Sequence, residues 1–312
     1  MEIWRIRQKE GFNSIKAIAE FLNIDPVHLL NKKEFPLHVP KRLAEKMPKG
    51  CLDNPLARQF LPLLEELEEG GVKDPVGDQA AMKGSALLHK YEGRALLLAT
   101  GACAMHCRYC FRQNFAYKSE VDKALFKIGQ DPSIEEVILS GGDPLSLSDM
   151  ALKEIFDRLE AIPHVKMIRF HTRFIIGIPE RVTERFLELL KNCSKQIVFV
   201  VHINCIEELD EEIFSAIGAI QQLKIPVLTQ SVLLKGVNDS VDALKKLFMA
   251  LVQRGVIPYY LHQLDRVKGA LHFEVPIQEG KNLMVALRNC MPGYAVPRYV
   301  QEIAGEKSKT II

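Results

Sequence analysis

Short runs of aliphatic and β-branched residues recur along the chain and predict a series of strands. They begin near residues 95, 136, 166, 196, 226 and 257. After a longer first interval, their starts lie about 30 residues apart. Apolar residues at helical spacing fill intervening stretches at 149–162, 180–191, 209–222 and 240–254. Strands and helices that alternate at this interval predict parallel βα units.

Six such units are too few for a closed barrel of eight, and no glycine-rich dinucleotide fingerprint follows the first strand. We therefore predict an α/β fold with a partial (β/α)6 parallel barrel rather than a Rossmann sheet. Residues 1–90 carry short helical patterns and scattered prolines, and we expect a helical N-terminal cap there. Residues 91–312 then form the barrel domain, which ends in an extended stretch at 294–303.

Polar residues are concentrated where the predicted strands end. In parallel barrels the carboxyl ends of the strands face one side and carry the functional groups. The residues that we expect on this face are 103–110, 140–143, His171, Arg173, His202, Asn204, Gln230, His262 and Asp265.

Composition and charge exclude several classes of protein. Of the 312 residues, 47% are apolar and 26% charged, which argues against disorder. The 41 basic and 39 acidic residues nearly balance, so no nucleic-acid partner is expected. No apolar run reaches the roughly 18 residues of a membrane span, and the first ten residues are charged rather than signal-like. We therefore expect a cytoplasmic protein without a membrane partner.

Three of the seven cysteines fall in one short loop, with the spacing Cys103-x3-Cys107-x2-Cys110. Thiolates are the ligands of iron–sulfur clusters, and a [4Fe-4S] cluster with three protein ligands keeps one iron open. Zinc remains an alternative because His106 lies inside the loop and could be a fourth ligand. A chance grouping of core cysteines is the third interpretation.

The run GACAMHCRYCFRQNF resembles the cluster loop of radical S-adenosylmethionine enzymes, in which the open iron is chelated by S-adenosylmethionine. The aromatic Tyr109 before the third cysteine also fits that family. The next strand ends in SGGDP, which is similar to the family's glycine-rich motif. The resemblance implies that Gly141, Gly142 and Asp143 contact S-adenosylmethionine, although the same letters are also an ordinary βα turn.

Within that superfamily the chain resembles the lysine 2,3-aminomutases, and most of all the branch that serves the β-lysylation of elongation factor P. The likeness extends from about residue 40 to 310. It is carried by LLHKYEGRALLL, LSGGDPLS, QSVLLKGVND, PYYLHQLD and EIAGEKSKT. One departure is Cys205, which stands where related enzymes often have histidine, so its role is left open.

The resemblance implies a second cofactor, pyridoxal 5′-phosphate, attached to Lys309 as the catalytic lysine. It also places Arg94 and Lys90 at the phosphate and Gln230 in contact with this cofactor. For the substrate it implies Arg112 at the carboxylate, and Asp265 and Glu302 at the side-chain ammonium of lysine.

Without the family, each of these positions has a plainer interpretation. Lys309 lies three residues from the last residue and would be a solvated terminal lysine. The charged residues at 90, 94, 112, 265 and 302 would be ordinary surface or loop charges.

The activity implied by the resemblance is that of an isomerase, an intramolecular aminotransferase that converts L-α-lysine to β-lysine. It further implies an external electron donor and a functional link to elongation factor P and its lysyl ligase. Two other hypotheses remain: a radical S-adenosylmethionine enzyme without pyridoxal phosphate that acts on another substrate such as RNA, and a non-enzymatic iron–sulfur or zinc module. Free or protein-bound lysine, the enantiomer of β-lysine and the oligomeric state are left open.

Overall fold

A computed structural model describes residues 2–31, 35–117 and 120–312. Across these residues nine strands form one sheet, in which each strand lies beside the next along the chain. They are β1 (Leu87–Tyr91), β2 (Arg94–Thr100), β3 (Glu136–Gly141), β4 (Met167–Thr172), β5 (Gln196–His202), β6 (Val227–Val232), β7 (Ile257–His262), β8 (Arg298–Gln301) and β9 (Thr310–Ile311).

Strands β2 to β8 are parallel, whereas β1 and β9 run antiparallel at the two ends of the sheet. Among the described residues β1 and β9 do not pair with each other, so the barrel is open. This confirms the predicted α/β fold with a partial parallel barrel. The extended stretch predicted at 294–303 contains β8, which adds another parallel strand after the sixth βα unit.

Helices connect the parallel strands and cover the outside of the sheet. The helices are α1 (Ile3–Lys9), α2 (Ile15–Leu22), α3 (Lys41–Lys46), α4 (Pro55–Phe60), α5 (Val121–Gln130), α6 (Asp149–Glu160), α7 (Phe174–Gly177), α8 (Glu184–Asn192), α9 (Glu211–Gln222), α10 (Val241–Val252) and α11 (Ile277–Cys290). Side-chain caps begin several of them; the Ser148 hydroxyl, for example, accepts from the N–H of Ala151 in the first turn of α6.

Successive residues of each strand point to opposite faces of the sheet, and the side chains on the two faces differ in polarity. On the outer face the Phe170 ring stacks on Phe199, with 4.6 Å between centroids, beneath the aromatic ring of Phe156 from α6. On the inner face His171 and Gln230 line a cavity. Polar side chains therefore reach the inside of the barrel, where apolar residues such as Leu96 and Ile138 also line the cavity.

The N-terminal helices pack against the barrel through one continuous hydrophobic core. Trp4 of α1 is fully buried, and its ring lies edge-on to Phe174 at 5.8 Å. Strand β1 pairs with β2, so the sheet starts before residue 91. The division into a 1–90 cap and a 91–312 barrel domain stays a prediction. Within the described ranges, no helix is both long and apolar enough to cross a membrane.

Candidate active site

The structure brings all the sequence-predicted site residues to one cavity of about 310 Å³ at the carboxyl ends of the strands. The residues concerned are Lys90, Arg94, Cys103, Cys107, Cys110, Arg112, Gly141, Gly142, Asp143, Gln230, Asp265, Glu302 and Lys309. Most of them follow a parallel strand, and the carboxyl ends of parallel strands meet at the same edge. Arg94, by contrast, begins β2, and Lys90 lies on the antiparallel strand β1.

The cysteine loop follows β2 and contributes all three of its thiols to the cavity wall. Burial raises the pKa of Cys110 to about 11, and the neighbouring Cys107 adds to the effect. Burial also raises the pKa of Cys103, with Asp143 and the two other thiols contributing. Without a metal, the thiols of Cys103 and Cys110 are therefore protonated at neutral pH. Over the described ranges, no three His, Cys, Asp or Glu side chains are arranged so that they could hold a metal ion.

Contacts with the N-terminal region hold the cysteine loop in place. Arg108 and Glu66 form a fully buried bidentate ion pair, with Nε to Oε1 at 2.6 Å and Nη2 to Oε2 at 2.7 Å. The His106 Nδ1 donates to the carbonyl oxygen of Pro36 at 2.8 Å, and its ring stacks on Phe35. One imidazole nitrogen of His106 thus anchors the loop. This contact does not distinguish zinc from an iron–sulfur cluster, because a ligating histidine commonly donates its other ring N–H to a carbonyl oxygen.

The glycines at the end of β3 let two backbones approach each other. A Cβ on Gly142 would lie 2.3 Å from the carbonyl oxygen of Ala102 in the cysteine loop. A Cβ on Gly141, whose φ is +118°, would lie 2.3 Å from the carbonyl oxygen of Thr100. The residues at 141 and 142 are therefore glycine because the strand end presses on the loop that carries the cysteines.

Asp143 joins the ends of β3 and β4. Its buried carboxylate accepts hydrogen bonds from the Thr172 hydroxyl at 2.8 Å and from the backbone N–H groups of Leu145 at 3.0 Å, Arg173 at 2.7 Å and Phe174 at 2.9 Å. Desolvation raises the pKa of Asp143 to about 6, against the lowering effect of these hydrogen bonds. The carboxylate thus shapes this part of the wall.

Alternating charges run across the opposite wall of the cavity. Arg112 Nε lies 2.7 Å from Asp78 Oδ2, and Lys90 Nζ lies 2.6 Å from Asp78 Oδ1. The same Lys90 ammonium lies 2.7 Å from Glu302 Oε1, whose other oxygen accepts from Lys309 Nζ at 2.5 Å. Asp78 is buried and bridges two predicted site cations, but it was not predicted as a site residue from the sequence. Its position in an irregular, polar stretch carried no local signal.

Glu302 and Asp265 face the same cavity with opposite shifts in pKa. Burial alone would raise the pKa of Glu302, but the ammonium groups of Lys309 and Lys90 lower it to about 2. Burial raises the pKa of Asp265 to about 7, and the nearby Glu302 charge adds to this. Glu302 is therefore a fixed anion, while Asp265 takes up a proton near neutral pH.

The last strand places Lys309 at the cavity. Strand β9 pairs antiparallel with β8, in the register Gln301 to Thr310 and Val300 to Ile311. Because of this pairing, Lys309, the residue before β9, lies at the cavity, and its ammonium contacts Glu302.

The remaining predicted residues lie deeper. The Arg94 guanidinium lies 4.8 Å from the centre of the Tyr91 ring, across the turn of the β1–β2 hairpin. Gln230 on β6 and His202 on β5 are register partners on the inner face. Burial, with the Arg173 charge nearby, lowers the pKa of His202 to about 3, so its imidazole is neutral at pH 7.

This donor set fits an iron–sulfur cluster with three cysteine ligands. Three thiols within eight residues line one cavity, and two glycines let the neighbouring strand end lie against their loop.

Among the contacts of the described residues, Glu302 is the one acidic side chain that pairs with Lys309.

Comparisons with known proteins agree with this arrangement. Residues 91–211, which include the three loop cysteines, match the family of 4Fe-4S single cluster domains. The chain is 41% identical to the L-lysine 2,3-aminomutase of Escherichia coli (strain K12), over 99% of this chain and 94% of that protein. It is 39% identical to the enzyme of the same name from Haemophilus influenzae, over 99% of this chain and 95% of that protein.

A relative from Clostridium subterminale, also named L-lysine 2,3-aminomutase, is 35% identical over 83% of this chain and 64% of its own length. Identity at this level over nearly the whole chain, together with the cluster domain, confirms the predicted family and cluster. The chain belongs to the radical S-adenosylmethionine L-lysine 2,3-aminomutases, a family of isomerases.

Proposed function

We propose that this protein converts L-α-lysine to β-lysine as a pyridoxal phosphate-dependent 2,3-aminomutase. The observation that carries the proposal is the shared cavity. The three cluster cysteines, Lys309 and the carboxylates of Glu302 and Asp265 all line it. A hydrogen-abstracting centre and an amine-binding centre must be within reach of one substrate for this isomerisation.

Cys103, Cys107 and Cys110 would hold the cluster, with Gly141, Gly142 and Asp143 beside the S-adenosylmethionine that it binds. When bound, these groups supply a one-electron reducing centre and, from S-adenosylmethionine, a radical that removes a hydrogen atom from the substrate. The electron would come from an external donor. The protein's part is to hold the loop in position and to keep water from the reacting centre.

Lys309 would carry pyridoxal phosphate, which supplies electron delocalisation for the migrating nitrogen. Its amine reaches the cavity while Glu302 neutralises the charge. Arg94 and Lys90 would bind the phosphate, and Lys90 would do so while it also pairs with Asp78 and Glu302. Gln230 on the inner face would add a polar contact to this cofactor.

The two ends of lysine would meet opposite charges. Arg112 would bind the carboxylate, and Asp78 holds its guanidinium in place through Nε. Glu302 and Asp265 would bind the side-chain ammonium. The approach of that ammonium favours the charged form of Asp265, so substrate binding would release the proton that burial stabilises there.

The sequence segments shared with the elongation factor P branch support a destination for the product. We propose that β-lysine is passed to a separate lysyl ligase, which attaches it to elongation factor P.

The activity is tested by anaerobic reconstitution with iron, sulfide, pyridoxal phosphate and S-adenosylmethionine, followed by mass analysis of L-lysine incubated with a reductant. We expect β-lysine from the wild type and only background from Lys309→Ala and Cys107→Ala. Lys281→Ala, on the exposed part of α11, serves as the matched lysine control and should keep full activity. A cluster-loaded wild type that forms no β-lysine would contradict the proposal.

A further inference from the structure

A buried arginine touches the sulfur of one of the three cluster cysteines. Arg173 follows the end of β4, and only 6% of it is exposed. Its Nη1 donates to Cys107 Sγ at 2.9 Å. Neither the site predictions nor the proposed chemistry assigns this cation a role.

The Arg173 guanidinium is held on several sides. Nη2 donates to Gln59 Oε1 at 2.7 Å and pairs with Glu208 Oε2 at 2.9 Å. Its planar head lies over the Phe60 ring, 4.7 Å from the centroid. Its backbone N–H is bound by Asp143. Because these partners come from separate elements, the cation is fixed before any cluster binds.

Glu208 supplies the counter-charge and is also fully buried. Its Oε1 accepts from the backbone N–H groups of Asn204 at 2.9 Å and Cys205 at 3.1 Å, and from Gln59 Nε2 at 3.3 Å. Its other oxygen faces Arg173. The carboxylate thus contacts Nη2 of Arg173 while the cysteine sulfur contacts Nη1, in a region with little water to screen either charge.

We infer that Arg173 is a positioning residue that sets the reduction potential of the cluster through Cys107, with Glu208 opposing it. This inference rests on the cluster of the proposed function. Reduction adds one electron from a low-potential external donor to the cluster, and no bond forms or breaks at the arginine. A hydrogen bond to a ligating sulfur and a nearby positive charge both stabilise the added negative charge, which raises the potential.

Because Arg173 and Glu208 carry opposite charges, their substitutions should shift the midpoint potential of the cluster in opposite directions. The midpoint potential of the reconstituted cluster is measured by redox titration with dithionite, followed by electron paramagnetic resonance of the reduced form. We expect a more negative potential in Arg173→Met, because the hydrogen bond and the charge are both lost. We expect a less negative potential in Glu208→Gln, since the amide keeps an Oε1 acceptor while the opposing charge is removed. Arg173→Lys, which keeps the charge, should fall between Arg173→Met and the wild type.

Arg181→Met is the matched control. Arg181 is another fully buried arginine that pairs with a carboxylate, Asp149 Oδ1 at 2.8 Å, and its contacts in the described part of the chain include no cysteine. Its loss should lower the melting temperature without moving the potential. Equal potentials in wild type, Arg173→Lys and Glu208→Gln, or the same shift in Arg181→Met as in Arg173→Met, would overturn the inference.

Iron and sulfide content and β-lysine formation are measured on the same samples. If the wild type binds no cluster, the proposed function fails and this inference fails with it. If the wild type forms β-lysine but the potentials do not separate, only the inference fails. Should Arg173→Met not take up a cluster, the signs of the shifts in Arg173→Lys and Glu208→Gln decide the matter.

Discussion

Asp265 and Glu302 show how neighbouring carboxyl groups acquire different charges in one cavity. Glu302 has two ammonium partners and stays ionised, whereas Asp265 has its pKa raised to about 7 by burial and by Glu302. A fixed anion and a titratable one are suited to capturing a substrate ammonium without leaving two unpaired charges in the empty site.

This difference predicts a pH-dependent stability for the ligand-free protein. The pKa of Asp265 is higher in the folded state than the usual value of about 3.9 in an unfolded chain. The folded state therefore binds more protons between about pH 4 and 7, and stability contributed by Asp265 is lost as the pH rises through that window. The loss can reach at most about 1.4 kcal/mol per pH unit.

Urea unfolding of the wild type and Asp265→Asn at several pH values measures this pH dependence of stability. The free energy of unfolding of the wild type, minus that of the variant, should fall from pH 4 to 7 and level off above. The exposed Asp157→Asn is measured alongside as the control for a surface substitution of Asp by Asn. A constant difference for Asp265→Asn over this range would show that its carboxyl group titrates normally.

Among the secondary-structure elements, the proposed chemistry depends on β9, although it is the shortest strand of the described residues. Strand β9 contains two exposed residues and pairs only with β8 among the described residues, yet it turns Lys309 into the cavity. Such a short strand adds little to overall stability, because it buries little apolar surface.

Deletion of residues 310–312 should therefore separate stability from cofactor attachment. We expect the melting temperature to fall by only a few degrees, since Thr310 and Ile311 are exposed and Ile312 alone of the three packs, partly buried, against the core. Pyridoxal phosphate bound irreversibly after borohydride reduction should fall at least tenfold, because Lys309 loses its anchor.

Ile311→Ala keeps the backbone pairing and is the matched control, with retained cofactor attachment. Full attachment in the truncated protein would show that β9 does not place Lys309.

At the scale of the whole molecule, the N-terminal region supports the cysteine loop. The buried pair of Arg108 and Glu66 joins the loop to a segment more than 40 residues earlier, and the N–H of Arg108 donates to the Gln59 carbonyl at 2.8 Å. Loop order and global stability are therefore coupled through one ion pair that water does not reach.

Glu66→Gln leaves the Arg108 charge buried without its counter-charge. We expect the free energy of unfolding to fall by about 3–5 kcal/mol, as for other broken buried pairs. Iron retained after anaerobic gel filtration should also decrease, since the loop loses an anchor. The measurements are denaturant unfolding and iron analysis.

The exposed pair of Lys153 and Asp157 offers the contrast. Asp157→Asn should cost less than about 1 kcal/mol and leave the iron content unchanged. If Glu66→Gln were no more costly than Asp157→Asn, the Arg108 pair would not be the link between the N-terminal region and the loop.

Much of this protein was predictable from short-range pattern. The βα period predicted the barrel, and the spacing of the three cysteines predicted a cluster loop, because both signals depend on residues close together in the chain. Lys309 was different: alone it is a terminal lysine, and only the resemblance of the EIAGEKSKT segment singled it out. The division at residue 90 and the individual roles of the site residues stay predictions.

The sequence by itself determined the order of strands and helices, the loop that carries three thiols and the face on which polar groups gather. Only the tertiary structure decided which charges meet: Asp78 between Arg112 and Lys90, and Arg173 between Cys107 and Glu208. These partners lie between 12 and 66 residues apart. Contacts at such separations leave no periodicity in a sequence, because the strands and loops must assemble before the side chains come within hydrogen-bonding distance.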